Sequence, residues 1–169
     1  MNGRLTSILA VFGTLVWSAA NATAVAPHVN MSLGALPIVD SHPFDSSMDA
    51  KATVENALAR AKSDQKRVLI DLGANWCAGC IVLDNVLRLP EVSSFVASHY
   101  EVVHVDVGRL NRNLDVPARF GVTEVESVPA VLIIDADGRL LNPTQISALE
   151  DARSMTPQAI VDWLAAWAG

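Results

Sequence analysis

The sequence is poor in cysteine, in aromatic residues and in positive charge, and each shortage excludes a class of protein. Its 169 residues include only two cysteines, too few for a disulfide-rich scaffold or a four-cysteine metal site. Lys and Arg number 12 against 18 Asp and Glu, and the aromatic residues, 5% of the chain, are not interleaved with basic ones. Nucleic-acid binding is therefore not expected. Hydrophobic residues make up 51% of the chain, which excludes a mainly disordered state and suits one folded domain.

Charge is also missing from the stretch 5–39, which contains no Asp, Glu, Lys or Arg. Arg4 precedes an apolar run over residues 5–17, and small residues around Ala22 suit a signal peptidase. We therefore expect residues 1–24 to be a signal peptide, cleaved near residue 22 or 24. An uncleaved membrane anchor is the less favoured alternative, because polar residues interrupt a run that needs about 20 apolar residues to span a bilayer. No ER-retention signal ends the chain, so export to a bacterial periplasm fits best.

Hydrophobic periodicity predicts one domain over residues 46–169, after a linker or N-terminal extension over residues 25–45. A capping box, Ser46 followed by Asp49, predicts a helix over about 49–63. The other predicted elements are a strand over 68–72, helices over 81–89 and 91–98, strands over 100–107 and 130–135, a hairpin strand over 139–141, and a helix that Thr156 caps. An early βαβ unit and a late antiparallel pair imply the α/β class, with a mixed central sheet and helices on both faces.

The two cysteines, Cys77 and Cys80, are separated by two residues and lie where a predicted strand gives way to a helix. A helix N-terminus has unpaired N–H groups and the positive end of the dipole, so it lowers the pKa of a thiol placed there. Cys77 is therefore the expected nucleophile, and Cys80 the thiol that resolves the mixed disulfide. A purely structural disulfide is disfavoured because so short a loop stabilises little. A c-type haem site is excluded because Ile81 stands where a histidine is required.

A metal site is the competing interpretation of the cysteine pair. Cys77, Cys80, His99 and His104 have a loosely finger-like spacing. The two histidines flank a predicted strand, however, and we expect each to be an ordinary strand or surface residue, with no metal bound. A copper-binding module that uses the two cysteines as soft ligands stays open as an alternative.

The stretch 68–80 resembles the thioredoxin family. Trp76 directly precedes the first cysteine, and Asp71 lies six residues before that cysteine, inside the predicted strand. Val128 and Pro129 precede a hydrophobic strand, at the place where the family has its cis-proline. The resemblance covers nearly all of the chain beyond the predicted linker. It implies a thioredoxin-like fold and thiol–disulfide oxidoreductase activity, with the cysteine pair as the redox group and no organic cofactor.

The resemblance also implies a role for the residues around the pair. Asp71 would be a buried carboxyl group with a raised pKa, which exchanges a proton with Cys80 through a water molecule. Pro129, if cis, leaves the backbone of Val128 free to pair with an extended substrate segment. Trp76 would be a half-exposed platform beside the thiolate. The implied substrate contacts are Trp76, Ala78, Gly79, Val128 and Pro129.

Two departures from the family pattern refine the expected function. Ala78 and Gly79 replace the Gly-Pro of ordinary thioredoxins and the His-containing pairs of strong oxidants, so we predict a disulfide reductase of exported proteins. A disulfide oxidant or isomerase is the alternative. The strand over 100–107 has no lysine to match the one that many thioredoxins hold near the buried acid. The loops 109–113 and 123–127 are expected to shape partner choice.

The expected partners follow from that activity. They are protein thiols and disulfides as substrates, and an upstream thiol that donates electrons, a membrane reductase being one candidate. No nucleic-acid partner is expected, and we expect a monomer.

Overall fold

The computed structural model describes residues 24–37, 39 and 42–169, and its centre is a three-stranded sheet with the order β2-β1-β3. The strands are β1 (Arg67–Gly73), β2 (Tyr100–Asp106) and β3 (Ala130–Ile134). β1 pairs with β2 in parallel and with β3 antiparallel. The predicted mixed sheet is thus confirmed, and β1, which holds the candidate acid, is its central strand.

Helices cover both faces of the sheet. They are α1 (Ala50–Asp64), α2 (Ala78–Leu87), α3 (Pro90–His99), α4 (Asp115–Arg119) and α5 (Pro157–Ala166), with short 3-10 helices at Leu33–Ala35 and Ala152–Ser154. Strand side chains alternate between faces. Leu69 and Ile133 therefore pack with α2, α3 and α5 on one face, whereas Ile70 and Leu132 pack with α1 on the other.

The N-terminus of α1 differs from the sequence prediction. Asp49, and not Ser46, is the N-cap, because the Asp49 carboxylate accepts the backbone N–H of Ala52 at 3.0 Å. The predicted capping box is wrong for a local reason. Asp45 accepts the backbone N–H of Ser47 at 2.8 Å, which holds Ser46 in a turn and delays the helix. The cap that we predicted for the last helix is confirmed, since the Thr156 hydroxyl accepts the N–H of Ala159 at 3.1 Å.

Two connecting segments also differ from their predictions. The segment between the predicted strands over 100–107 and 130–135, for which we predicted no helix, contains the short helix α4. The hairpin strand predicted over 139–141 is reduced to a single bridge between Ile134 and Leu140. The turn at Gly138, which has a positive φ of 84°, reverses the chain as expected, but only a brief antiparallel pairing follows it.

Residues 25–37, within the predicted linker or extension, lie along the domain. Val29 is buried, and its backbone N–H donates to the Gln158 side chain at 2.7 Å. Gln158 in turn donates to the carbonyl of Pro27 at 3.2 Å. This segment therefore packs against α5.

The predicted signal peptide falls almost wholly outside the described residues, so its cleavage stays a prediction. Within the described part of the chain, no helix has the length and hydropathy needed to cross a membrane.

Candidate active site

The cysteine pair lies where α2 begins, and its two members differ in access. Cys77 and Cys80 form a disulfide with a Cα–Cα distance of 5.2 Å. Cys77 is the N-cap of α2, and its Sγ accepts the backbone N–H of Cys80 at 3.2 Å. Cys77 is 6% exposed, whereas Cys80 is 0% exposed. A substrate sulfur can therefore reach Cys77 first.

Gly73 allows α2 to start close against the end of β1. A Cβ atom at this position would lie 2.6 Å from Cε1 of Phe44 and 3.0 Å from Sγ of Cys80. Both distances are shorter than ordinary van der Waals contact. The missing side chain of Gly73 therefore makes room for the buried sulfur and for the phenyl ring.

The substrate-binding residues implied by the resemblance lie around one cleft beside Cys77. The Val128–Pro129 peptide bond is cis, and the Val128 carbonyl oxygen lies 3.5 Å from the Cys77 Sγ. A Cβ atom on Gly79 would lie 3.2 Å from the Pro129 Cδ, so the proline ring and the helix start are packed together. The cleft has a volume of about 320 Å³ and is lined by Trp76, Cys77, Ala78, Gly79, Val128, Glu150, Asp151 and Arg153.

Trp76 is 54% exposed and stands at the edge of this cleft as the expected half-exposed platform. Its indole N–H donates to the carbonyl of Gly108 at 2.9 Å, and the Arg109 guanidinium lies 5.1 Å from the ring centroid. Part of the loop 109–113, which we expected to shape partner choice, therefore holds the platform in place. Behind Trp76 lies a further cavity of about 660 Å³, with Phe44 in its wall.

Asp71 is fully buried in the middle of β1. Its Oδ2 lies 3.0 Å from Nδ1 of His104, while its Oδ1 has no hydrogen-bond partner among the described residues. Burial raises the pKa of Asp71 above its ordinary value, and the hydrogen bond and charge of His104 oppose that rise only in part. Asp71 and Gly73 project from the same face of β1, since side chains alternate along a strand. The carboxyl group thus lies on the side of the sheet where Gly73 borders Cys80.

His104 is a site residue that the sequence pattern does not single out. It lies directly opposite Asp71 in the parallel register of β1 and β2. His104 is a strand residue, as expected, but it also lies against the buried acid, the place where many thioredoxins hold a lysine. Its Nε2 lies 3.7 Å from Oδ1 of Asp84 on α2. Aligning the two strands in parallel would have revealed the pair, since each has a polar residue at this level within an apolar run.

The other histidine of the proposed metal spacing lies elsewhere. His99 ends α3, where its Nδ1 lies 2.8 Å from the Phe95 carbonyl oxygen and its ring stacks on Phe95. The structure therefore does not bring His99 to the cysteines. Among residues 24–37, 39 and 42–169, no group of three or more His, Cys, Asp or Glu side chains could hold a metal ion.

Phe44 is a second unexpected member of the site, because it comes from the predicted linker or extension. It is buried in a cluster with Cys77 and Cys80. Its backbone N–H donates to Oδ1 of Asn75 at 3.1 Å, and Nδ2 of Asn75 donates back to its carbonyl at 2.9 Å. The ring meets His104 edge-on, with 5.5 Å between centroids. A residue far outside the motif therefore closes one side of the buried sulfur and of the histidine.

Comparison with known proteins gives a family for this chain. Residues 49–136 match a family model described as thioredoxin-like. The chain is 38% identical to a disulphide isomerase from Xylella fastidiosa Temecula1, with 74% of this chain and 95% of that chain covered and a TM-score of 0.70. The chain therefore belongs to the thioredoxin-like family of protein-disulfide oxidoreductases, and the Cys77–Cys80 pair is its redox group. Enzymes of this family act on protein thiols and disulfides.

Two other solved structures are less similar. A thioredoxin from Trichomonas vaginalis is 26% identical, with 52% of this chain and 73% of that chain covered and a TM-score of 0.37. A DsbH oxidoreductase is 20% identical, with 85% and 96% covered and a TM-score of 0.42. Neither likeness is close enough to carry an argument about activity. No curated protein matches the chain significantly.

Proposed function

We propose that this oxidoreductase works as a disulfide reductase on exported proteins. The observation that carries the proposal is the surroundings of the Cys77 sulfur. Within the described residues, Cys77 Sγ accepts one hydrogen bond, from the backbone N–H of Cys80, and the two intervening residues are Ala78 and Gly79. A pair becomes strongly oxidising when its reduced form is strongly stabilised. With no imidazolium between the cysteines, that stabilisation is modest, which favours a reducing pair.

The reaction proceeds in two exchanges. The Cys77 thiolate attacks one sulfur of a substrate disulfide, forms a mixed disulfide and releases the other substrate sulfur, which takes a proton from water. Cys80 then loses its proton and attacks Cys77 Sγ. The Cys77–Cys80 bond forms, and the bond from Cys77 to the substrate breaks with its electron pair on the substrate sulfur. Two electrons have moved to the substrate, and a thiol donor must return them to the pair.

The cleft beside Cys77 suits an extended protein segment as the substrate. The backbone at Val128 lies next to the Cys77 sulfur, where a strand-like segment can pair with it. Trp76 forms one side of the cleft, and Glu150 and Arg153 lie among its other lining residues. We expect an apolar contact on the tryptophan side and polar contacts on the opposite side.

The equilibrium redox potential of the pair against glutathione tests the proposal. A reductase requires a potential near −270 mV, together with rapid reduction of insulin in the presence of dithiothreitol. A potential near −120 mV would show an oxidant and overturn the proposed direction. No organic cofactor is proposed, and stoichiometric copper on the purified protein would instead support the metal-binding alternative.

Disulfide isomerisation is the second candidate, and the similarity to the isomerase of Xylella fastidiosa Temecula1 favours it. The two activities differ in their need for Cys80, since reshuffling can proceed through attack and release at one thiol, whereas net reduction requires both. Recovery of active ribonuclease from its scrambled form should therefore be measured with wild type and with Cys80→Ala. If the variant reshuffles as fast as wild type and neither reduces insulin, isomerisation replaces reduction as the function.

Export, an upstream donor and a monomeric state complete the proposal, and they rest on the sequence. Expression of the full chain in a bacterium with a periplasm tests export directly. We expect the periplasmic fraction to contain a protein whose mass is that of a chain beginning at Thr23 or Val25. A full-length protein that stays with the membrane would support the uncleaved anchor instead. Recovery of Cys77 in a mixed disulfide with a membrane reductase would identify the donor.

A further inference from the structure

Among the described residues, the buried acid has one polar route towards solvent. Asp71 is fully buried, and among the described residues its sole hydrogen bond joins Oδ2 to Nδ1 of His104. The His104 side chain is 21% exposed. A proton on Asp71 can therefore reach water through His104, and no other side chain in the described structure offers it a hydrogen-bonded path.

His104 opens into a groove behind the active site. The groove has a volume of about 280 Å³ and is lined by Asp84, Leu87, Arg88, Ser93, Val96, Ala97, Tyr100, Val102 and His104. None of these residues lines the cleft beside Cys77. The two openings are separate, so a substrate segment seated on Cys77 leaves the rear groove uncovered.

Phe44 separates this route from the cavity behind Trp76. Its ring contacts His104, and it also occupies the space that a side chain on Gly73 would need beside Cys80. The same residue forms part of the wall of the cavity behind Trp76. Water in that cavity is therefore held away from Cys80 and His104 by an apolar ring.

Building on the exchange mechanism proposed above, we propose that His104 is a positioning residue that passes the Cys80 proton between Asp71 and solvent through the rear groove. The Cys80 thiol gives its proton to the Asp71 carboxylate through a water molecule, and the resulting thiolate attacks Cys77. His104 takes a proton from Asp71 at Nδ1 and releases one to water at Nε2. The substrate sulfur leaves with the electron pair of the broken bond and is protonated by solvent, so protons and electrons balance.

The charges around His104 suit this exchange. Asp71 faces it from β1, and Asp84 and Arg88 face it from α2. Burial lowers the pKa of His104, but the hydrogen bond and charge of Asp71, together with the charge of Asp84, raise it above its ordinary value. Burial also raises the pKa of Asp71. The Asp71–His104 pair therefore retains a proton over a wider pH range than the separate groups would.

The remaining elements around the groove add no other group that would exchange a proton with His104. α3 contributes a serine and apolar side chains to the groove. On β2, Tyr100 keeps its proton because burial raises its pKa. Asp106, two residues beyond His104, is paired with Arg112 at 2.8 Å. Within the described chain, no further group with a raised pKa faces His104.

The reaction of the reduced protein with Ellman's reagent separates the two cysteine steps. Cys77 releases the first thionitrobenzoate, and the attack of Cys80 on the mixed disulfide releases the second. We expect His104→Gln to slow the second release only about tenfold at neutral pH, because Asp71 remains as the proton acceptor. The first release should change less than about twofold. His99→Gln is the matched control and should change neither rate. Equal slowing of both releases, or an unchanged second release, would overturn the proposal.

Two further readouts separate a proton-transfer role from a structural one. The pH profile of the second release should contain an inflection in wild type that is missing in His104→Gln. In the NMR spectrum of wild type, the titration midpoint of His104 should differ between the oxidised and reduced proteins. An identical His104 midpoint in both redox states would contradict the relay even if the variant fails to fold. The redox potential is independent of these rates, so a failure of the reductase proposal would be recognised separately.

Discussion

The two cysteines of the active site are 5.2 Å apart at Cα, yet their surroundings have little in common. Cys77 borders a cleft whose lining includes the half-exposed Trp76 and the charged residues Glu150, Asp151 and Arg153. Cys80 is enclosed by Phe44, with Gly73 leaving just enough space for its sulfur. The difference assigns the substrate chemistry to the first sulfur and the proton chemistry to the second.

That division has a physical basis. A sulfur that must meet many partners needs an accessible position and a stabilised thiolate, which the helix N-terminus provides. A sulfur that attacks once per cycle needs a proton acceptor at close range, and a dry environment keeps the pKa of such an acceptor high. In the relay proposed above, the Asp71–His104 pair of β1 and β2 meets the second need, and neither residue lines the cleft beside Cys77.

Substitution of the cysteines should have the largest effect on activity. It should also separate the attack by Cys77 from the resolution step of Cys80. Cys77→Ser should lower insulin reduction to the uncatalysed rate, because the accessible nucleophile is lost. Cys80→Ser should also abolish turnover but leave Cys77 able to attack, so a mixed disulfide with a protein substrate accumulates. Non-reducing electrophoresis followed by mass spectrometry measures the adduct. An adduct on Cys80 in the Cys77→Ser variant would contradict the assigned order of attack.

Asp71→Asn should have the next largest effect, confined to the Cys80 step. Loss of the carboxyl group removes the proton acceptor, and we expect the second thionitrobenzoate release to slow on the order of 100-fold, with the first little changed. Asp84→Asn is the matched control on the other side of His104, and a smaller effect is expected from it because Asp84 lies one residue further along the path. Comparable losses in both variants would remove the distinction between Asp71 and its neighbours.

The same substitution should change how stability depends on pH. The folded-state pKa values of Asp71 and His104 both lie above their ordinary values of 3.8 and 6.5. The folded protein therefore binds more protons than the unfolded chain, and the free energy of unfolding decreases as the pH rises above these ordinary values, first from Asp71 and then from His104. Asp71→Asn removes the carboxylate that contributes most to raising the pKa of His104. The free energy of unfolding should therefore decrease less with rising pH in this variant. Urea unfolding of the oxidised proteins measures this, and parallel curves would contradict it.

Phe44→Ala should mainly affect stability. It also tests whether the Cys80 step needs the Phe44 ring to keep water away from His104. Removing a buried phenyl ring costs about 3–5 kcal/mol of unfolding free energy. Phe95→Ala, in the core cluster away from the cysteines, is the control for a loss of that size. Phe44→Ala alone should also alter the pH profile of the Cys80 step, because water then reaches His104 from the front. Identical profiles in the two variants would show that the ring serves only to fill space.

Trp76→Ala should have the smallest effect and should be limited to the Cys77 region. Because the ring is half exposed, we expect little change in stability and a roughly fivefold higher KM for insulin, from the loss of one apolar contact. The second thionitrobenzoate release should not change. Trp163→Ala, on α5, is the control. An effect on the Cys80 step would show that the two regions are more closely coupled than their separate openings suggest.

Much of the active site could be predicted from the sequence because its residues are close together in the chain. The spacing of Cys77 and Cys80, the preceding Trp76 and the strand acid Asp71 all fall within the stretch 68–80. Local rules of helix capping and strand patterning apply at that range. They placed Cys77 at a helix N-terminus and Asp71 inside a strand, where the structure has them.

His104 and Phe44 could not be predicted in the same way, because each reaches the site through a contact distant in sequence. His104 is 33 residues from Asp71, and the parallel register alone decides that the two side chains meet. Phe44 lies in a segment without periodicity, and its position depends on its hydrogen bonds with Asn75. The polar residues of the two strands become a pair only once the strands are aligned in parallel, and the Phe44 contact leaves no pattern in the sequence.

The sequence by itself therefore determined the family and the redox pair. It also predicts Cys77 as the nucleophile, since a helix N-terminus acts on the residue placed there regardless of the rest of the chain. The tertiary structure alone decided what surrounds the second sulfur. Pairing β1 with β2 brought a histidine to the buried acid, and packing the N-terminal segment on Gly73 closed off water. Burial and partner charge, which shift pKa values, are properties of the assembled fold.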